Sequence, residues 1–364
     1  MNIALVHDYL LHLGGAERVL KILSEIFPKA PIYTILYDEK KCGGVFPKEK
    51  ITTSGLQKLP SLLRKNHKYF LPLIPRAVEE WDFSGFDLVL SSNSAFTHGI
   101  ITPTQTRHIC YFHSPMRFAW DWTNEYIKEQ KLGFLKRTAI AHILKKIRIW
   151  DQASVDRADT FIANSKTVQN RITKYYRRDS TVIYPPVDIS RFKIGKTSED
   201  YFLIVSNLTP FKRLDLAIQL FNKIRRRLVI IGDGPQKEFL QNIAGDTIDF
   251  LGHKDDALTA EYLTNCRALI FPGEDDFGIT PVEAMACGKP VLAFGRGGAK
   301  ETVVEGVTGE FFNEPTVASM EDGLARLMLN ERNYSPLKCR HRANEFSKEI
   351  FIEKIKNIVR GSES

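Results

Sequence analysis

The segment FPGEDDFGITPVEAMACGKPV, residues 271–291, constrains this chain more than any other. The apolar run 268–271 reads as the end of a buried strand, and residues 291–294 (VLAF) read as the next one. Between them lie an acidic loop and a helix that opens near Pro281 and closes at Gly288. Proline suits a first helical turn, because its missing N–H would have no intrahelical partner there. The loop aims the Gly278 and Ile279 N–H groups and a helix N-terminus above the sheet, a geometry that favours phosphate. Asp275 and Glu283, one on the loop and one on the helix, bring two carboxylates toward one crevice. A carboxylate beside a phosphate site holds sugar hydroxyls in dinucleotide folds.

The same alternation of strand and helix fills the chain twice. Residues 3–6 read as a strand, followed by Gly14-Gly15, where the backbone turns sharply or meets a ligand closely. A helix over 15–27 carries Val19, Leu20, Leu23, Ile26 and Phe27 at helical spacing. Residues 32–36, 86–90, 107–112 and 161–163 read as further strands, with 91–94 as a small polar loop. His113 leaves the carboxyl end of the strand at 107–112, Pro115 fixes the turn, and Arg117 and Asp121 follow. Ser165 reads as a helix cap. Pro185-Pro186 turns the chain into a linker, which places a boundary near residue 190. Beyond it come a strand at 201–205, a helix behind Lys212-Arg213, a GDGP turn, a glycine loop at 295–298 and a helical run over 336–359. Basic residues at a first helical turn oppose the helix dipole by ~0.3–1 kcal/mol, so Lys212 and Arg213 read as an anion clamp, with plain surface charge as the alternative.

Taken in order, GGAER, HSPMR, ANS, YPPVD, PFKR, GDGP and EDDFG to CGKP resemble the retaining glycosyltransferases of family 4, which have the GT-B fold. The resemblance implies an α/β chain of two Rossmann-like domains facing a central cleft. Residues 1–190 would bind the acceptor and 191–340 the nucleotide sugar, with 341–364 a helix crossing back to the first domain. It implies Glu283 on the nucleotide ribose, and Gly14, Gly15, Gly278, Ile279 and Arg213 on the donor side. The first glutamate of the family's E-x7-E signature is Asp275 here, with Glu274 directly before it, so either carboxylate is a candidate for the donor sugar. His113, Lys212 and Asp275 are the catalytic expectation, and Arg117, Asp121 and Ser165 the acceptor-side one. The arginine usual five positions before the lysine is Asn207 here. No metal and no other cofactor is expected, and the departing phosphate would help take the acceptor proton. The 271–290 segment with HSPMRFAWD is similar to bacterial mannosyltransferases of O-antigen and exopolysaccharide assembly, which implies GDP-mannose and a lipid-diphosphate-linked glycan. A sugar-nucleotide 2-epimerase of the same fold and a non-enzymatic nucleic-acid binder stand as the alternatives.

Composition narrows the setting. A chain of 364 residues is long enough for two α/β domains. The net charge of +8 is uneven: residues 1–190 hold 27 Lys+Arg against 18 Asp+Glu, leaving 24 against 25 beyond. The first half therefore suits an anionic surface, such as membrane lipid, a phosphorylated acceptor or nucleic acid, with a merely basic surface as the alternative. No compact basic motif with interleaved aromatics is present, so no nucleic-acid partner is expected. Five cysteines without a C-x-x-C pair fit a reducing cytosol and no zinc site. No signal peptide and no transmembrane run is legible, so a cytoplasmic protein with at most peripheral membrane contact is expected. Residues 56–81 and 131–150 mix apolar and basic residues; each reads as a domain-packed helix, with an interfacial one as the alternative.

Overall fold

Runs such as Leu228–Ile231 (LVII) and Ala268–Phe271 (ALIF) are apolar on both faces, and such strands belong inside covered parallel sheets. A computed structural model of the chain describes residues 1–60, 64, 67–121, 123, 134–195 and 198–361. The chain divides into two units, Met1–Tyr184 with the chain from Ile352 onward, and Pro185–Phe351.

The first unit holds β1 (Ile3–Leu10), β2 (Ile32–Tyr37), β3 (Ile51–Thr53), β4 (Leu88–Asn93), β5 (Arg107–Phe112), β6 (Thr160–Ala163) and β7 (Thr181–Val182). They form one sheet, ordered β3-β2-β1-β4-β5-β6-β7, and each pairing is parallel. The second unit holds β8 (Phe202–Val205), β9 (Leu228–Ile231), β10 (Ile248–Gly252), β11 (Ala268–Phe271), β12 (Val291–Phe294) and β13 (Gly309–Phe312). Their order is β10-β9-β8-β11-β12-β13, again parallel throughout. Each sheet reverses direction once. The chain moves outward from β1 through β3 and returns as β4 on the other side of β1; it does the same around β8, returning as β11. α/β sheets bind ligands beyond the carboxyl ends of the strands at such reversals.

Several boundaries differ from the sequence expectation, each because tertiary bonds extend or interrupt a pattern. β1 runs past Val6 to Leu10, and the Asp8 carboxylate accepts the N–H groups of Ser94, Ala95, Phe96 and Thr97 at 2.5–3.2 Å. Burial raises the Asp8 carboxyl against the pull of those bonds. Ser91 to Asn93 belong to β4 rather than to a loop, since their side chains are buried in bonds to histidines. Ser91 Oγ lies 2.8 Å from His108 Nε2, and Asn93 Oδ1 accepts the His98 N–H at 3.1 Å. The helix expected over 336–359 is two, Pro336–Asn344 and Lys348–Arg360. Val187 separates them, donating its N–H to Phe346 O and accepting from Lys348 N–H. In the first unit, Arg107 Nη1 bonds Ile358 O at 3.1 Å.

Helix Phe134–Ser154 buries Leu144 and Ile147 and partly buries Ile143 and Trp150, as a core-facing stripe should. Leu132, and the side chain of Leu135, lie outside the described residues, as do residues 61–63, 65 and 66 of the other basic segment. Pro75 lies in the first turn of helix Ile74–Glu79. All five cysteines are free and buried. Among the described residues no helix is long and apolar enough to cross a membrane.

Candidate functional site

Beyond β8 and β11 two loops meet. The loop after β8 ends in the 3-10 turn Pro210–Lys212, and Arg213 follows at φ 51°, ψ 37° as the cap of helix Leu214–Ile224. That left-handed conformation costs a non-glycine residue ~1–2 kcal/mol, strain of the kind that gathers at functional sites. The loop after β11 meets it at Gly273, where a Cβ would lie 2.7 Å from Lys212 Cα, so only glycine permits the approach. Lys212 Nζ reaches both Asp275 oxygens, at 2.5 and 2.6 Å, with the side chains 17% and 19% exposed. Arg213 pairs with Asp215 at 3.1 Å. The two cations therefore do not stand uncompensated at a first helical turn. Lys212 precedes the helix, Arg213 caps it, and Asp215 supplies the acid that the dipole favours there.

The helix after β11 is Ile279–Ala286, two residues longer at its start than expected, with Pro281 in its first turn. Gly278 caps it at φ 85°, a conformation that glycine adopts without steric penalty. Among the described residues none accepts the N–H of Gly278 or of Ile279, both of which lie at the positive end of the helix dipole. Glu283, on the same helix, is buried. At the other end, Gly288 N–H bonds Met285 O and Lys289 N–H bonds Ala284 O, the paired bonds of a glycine-terminated helix. Gly298 of the loop after β12 donates to Asp275 O at 2.8 Å, and Glu274 packs against Gly297 of that same loop. Asp275, of the two neighbouring acids, is the one tied to Lys212.

In the first unit the reversal lies between β1 and β4. Helix Gly15–Ile26 begins just beyond β1, with Gly14 as its cap at φ −120° and its N–H donated to Glu17 Oε2 at 2.8 Å. His113 follows β5 directly; its N–H bonds Asn93 O, and its carbonyl accepts the Asn164 amide at 2.9 Å. Its Nε2 lies 2.7 Å from Ser92 Oγ, which lies 3.1 Å from His7 Nδ1. Burial pushes His113 down to about 3, with His7 adding to the shift and Glu17 opposing it. For Glu17, burial acts upward, but His7 and His12 bring the carboxyl down to about 2.

The acceptor-side candidates are spread along one flank of this unit. Asp121 pairs with Arg171 at 3.1 Å, and Arg171 also donates to Ser114 Oγ. Arg117 is partly buried, and Trp120 stacks on Tyr175 with ring centres 4.9 Å apart. The Ser165 hydroxyl accepts the Val168 N–H and donates to Asn164 Oδ1, so capping accounts for the serine. Sequence reasoning missed His7, Glu17 and Ser92. The breaks that His7 and Ser92 make in apolar strands were the available signal, as was a glutamate three residues after a helix cap.

A family model described as glycosyl transferases group 1 matches residues 187–349, and one described as glycosyltransferase family 4 matches residues 13–191. An uncharacterised glycosyltransferase of Methanocaldococcus jannaschii is 27% identical over 214 residues, 57% of this chain and 60% of that protein. The alpha-1,3/1,6-mannosyltransferase ALG2 of Dictyostelium discoideum is 23% identical over 99% of this chain and 98% of its own. The chain thus spans nearly all of one of these relatives and under two thirds of the other. Among solved structures, Anabaena HepE in complex with UDP matches with a TM-score of 0.71 and 16% identity, over 99% of this chain and all of that one. Two contiguous family matches and two parallel-sheet units of this topology agree: the chain belongs to the family 4 glycosyltransferases of the GT-B fold.

Proposed function

We propose that the protein transfers a hexosyl group, mannose from GDP-mannose, to a lipid-diphosphate-linked glycan, with retention of anomeric configuration. The observation that carries this reading is the arrangement at the β8/β11 reversal. Lys212 sits beside a helix N-terminus whose first N–H groups have no acceptor among the described residues, and Glu283 lies buried on that helix. Breaking a sugar–diphosphate bond leaves negative charge on the diphosphate. Fixed donors and a cation aimed at that charge lower the barrier without reorganisation. Glu283 would take the ribose hydroxyls, Asp275 or Glu274 the donor sugar, and His113 would lie close to the reacting sugar. The departing phosphate would help take the acceptor proton. The reading needs no metal, so transfer should survive a chelator.

Mannose rests on the full-length similarity to ALG2, and the UDP complex of HepE makes a uridine donor the competing outcome. The basic first half suits an acceptor carrying a diphosphate on an anionic membrane, which implies peripheral binding that weakens as salt is added. The test is a thermal-shift panel of sugar nucleotides on wild type and Glu283→Ala. A ligand that binds only the native state raises the melting temperature. A shift with GDP-mannose that the variant loses supports the donor. A shift with a UDP-sugar instead keeps the transferase and discards mannose, and no shift with any nucleotide refutes the reading. Product analysis that finds inverted configuration would refute retention.

A further inference from the structure

Three polar side chains lie in a row behind His113. Glu17 comes from the first turn of helix Gly15–Ile26, His7 from β1 and Ser92 from β4. Glu17 Oε1 is 3.6 Å from His7 Nε2, His7 Nδ1 is 3.1 Å from Ser92 Oγ, and Ser92 Oγ is 2.7 Å from His113 Nε2. All three are buried, at 6%, 2% and 0% exposure, so water does not compete for these bonds. The direction of every bond then follows from the carboxylate, which can only accept. At 3.6 Å its oxygen is too far for a hydrogen bond, yet its charge repels a lone pair on Nε2 and favours an N–H there. In its neutral form His7 then carries its lone pair on Nδ1, which accepts the Ser92 O–H. Ser92 has one proton to give, so its oxygen accepts the Nε2–H of His113. The lone pair of His113 is left on Nδ1, to which no described residue hydrogen-bonds.

The geometry points to Glu17, His7 and Ser92 as positioning residues that hold His113 as its Nε2–H tautomer, presenting Nδ1 as a hydrogen-bond acceptor to a substrate hydroxyl. The assignment of that hydroxyl to a sugar rests on the proposed function; the tautomer does not. Burial holds the His113 ring itself neutral down to about pH 3, so His113 keeps this acceptor wherever His7 is neutral.

Glu17→Gln tests the row with little change of shape. The new amide oxygen can take the Gly14 N–H as Glu17 Oε2 does, which turns the amide N–H toward His7 Nε2. A donor at that point puts the His7 proton on Nδ1, reverses Ser92 and moves the His113 proton to Nδ1. The measurement is the side-chain nitrogen spectrum of the full-length protein carrying labelled histidine, with His113→Gln to identify the signal. The expected result is Nε2–H in wild type, Nδ1–H in Glu17→Gln, and both tautomers populated in Ser92→Ala, where the row is cut in the middle. His113 as Nδ1–H in wild type, or one unchanged tautomer in both variants, overturns the inference. In transfer assays Glu17→Gln should lower kcat at least about tenfold with donor KM unchanged, as a wrong catalytic tautomer does elsewhere. A swapped tautomer with undiminished kcat overturns the positioning role. A wild-type protein that transfers nothing refutes the proposed function instead, and the spectra still decide the tautomer.

Discussion

Lys212 is held by Asp275, so under the proposed function an incoming diphosphate would compete with a carboxylate already in place. A partly exposed pair of this kind is worth roughly 1 kcal/mol or less. Asp275→Asn should therefore tighten nucleoside diphosphate binding by up to about fivefold in calorimetry while lowering transfer, and Lys212→Ala should weaken both. A second residue-scale prediction concerns Asp151, which accepts Trp120 Nε1–H at 2.7 Å and the Tyr176 hydroxyl at 3.1 Å beside His98. Burial pushes this carboxyl up to about 7 from an ordinary value of 3.8. The folded protein thus holds a proton there that the unfolded chain gives up near pH 4. The contribution of this group is fully present below that point and falls as pH rises to about 7. His98, driven by burial down to about 3, acts in the opposite sense between about pH 3 and 6.5, and it is present in wild type and Asp151→Asn alike. Urea unfolding should find the variant less impaired, relative to wild type, near pH 7.5 than near pH 5. At this scale the residue types at the candidate site were readable from local motifs. The partners were not, because Lys212 and Asp275 are 63 positions apart and nothing local pairs them.

Helix Ile279–Ala286 is the proposed phosphate-binding element, and its start depends on one backbone conformation. Gly278→Ala forces a side chain into φ 85° and sets its Cβ 3.1 Å from Phe271 Cζ. It should lower the stability of the second unit by ~1–2 kcal/mol and weaken nucleotide binding together with it. A variant that keeps full affinity in the thermal-shift panel would show that the Gly278 and Ile279 N–H groups do not meet the ligand. Element types were legible because a 3.6-residue period and short apolar runs differ so clearly. Element ends were less so. β1 and β4 continue through His7, Asp8, Ser91, Ser92 and Asn93 because bonds across the sheet pay for burying polar side chains, and a single segment does not display those bonds.

The whole molecule joins two sheets, and the last helix shows how far apart in sequence a unit's parts lie. Ile355 and Val359 are buried, and Arg107 bonds Ile358 O across 251 positions. Ending the chain at Phe351 removes both side chains from the first unit. At ~1.5–3 kcal/mol for each buried aliphatic side chain, that unit should lose about 3–6 kcal/mol and become sensitive to protease under native conditions. A truncated protein whose first unit resists digestion as wild type does would contradict this. Two α/β units and phosphate-favouring loops follow from local chemistry, since apolar period, turn glycines and charge at helix ends act over a few residues, while the family and its parallel sheets were legible through the resemblance of seven motifs in order. The strand order that reverses at β1/β4 and β8/β11, the Lys212–Asp275 pair and the row from Glu17 to His113 belong to the folded chain alone. Each depends on groups brought together by sheet pairing over tens of residues, and their short-range bonds exist only once that pairing has formed.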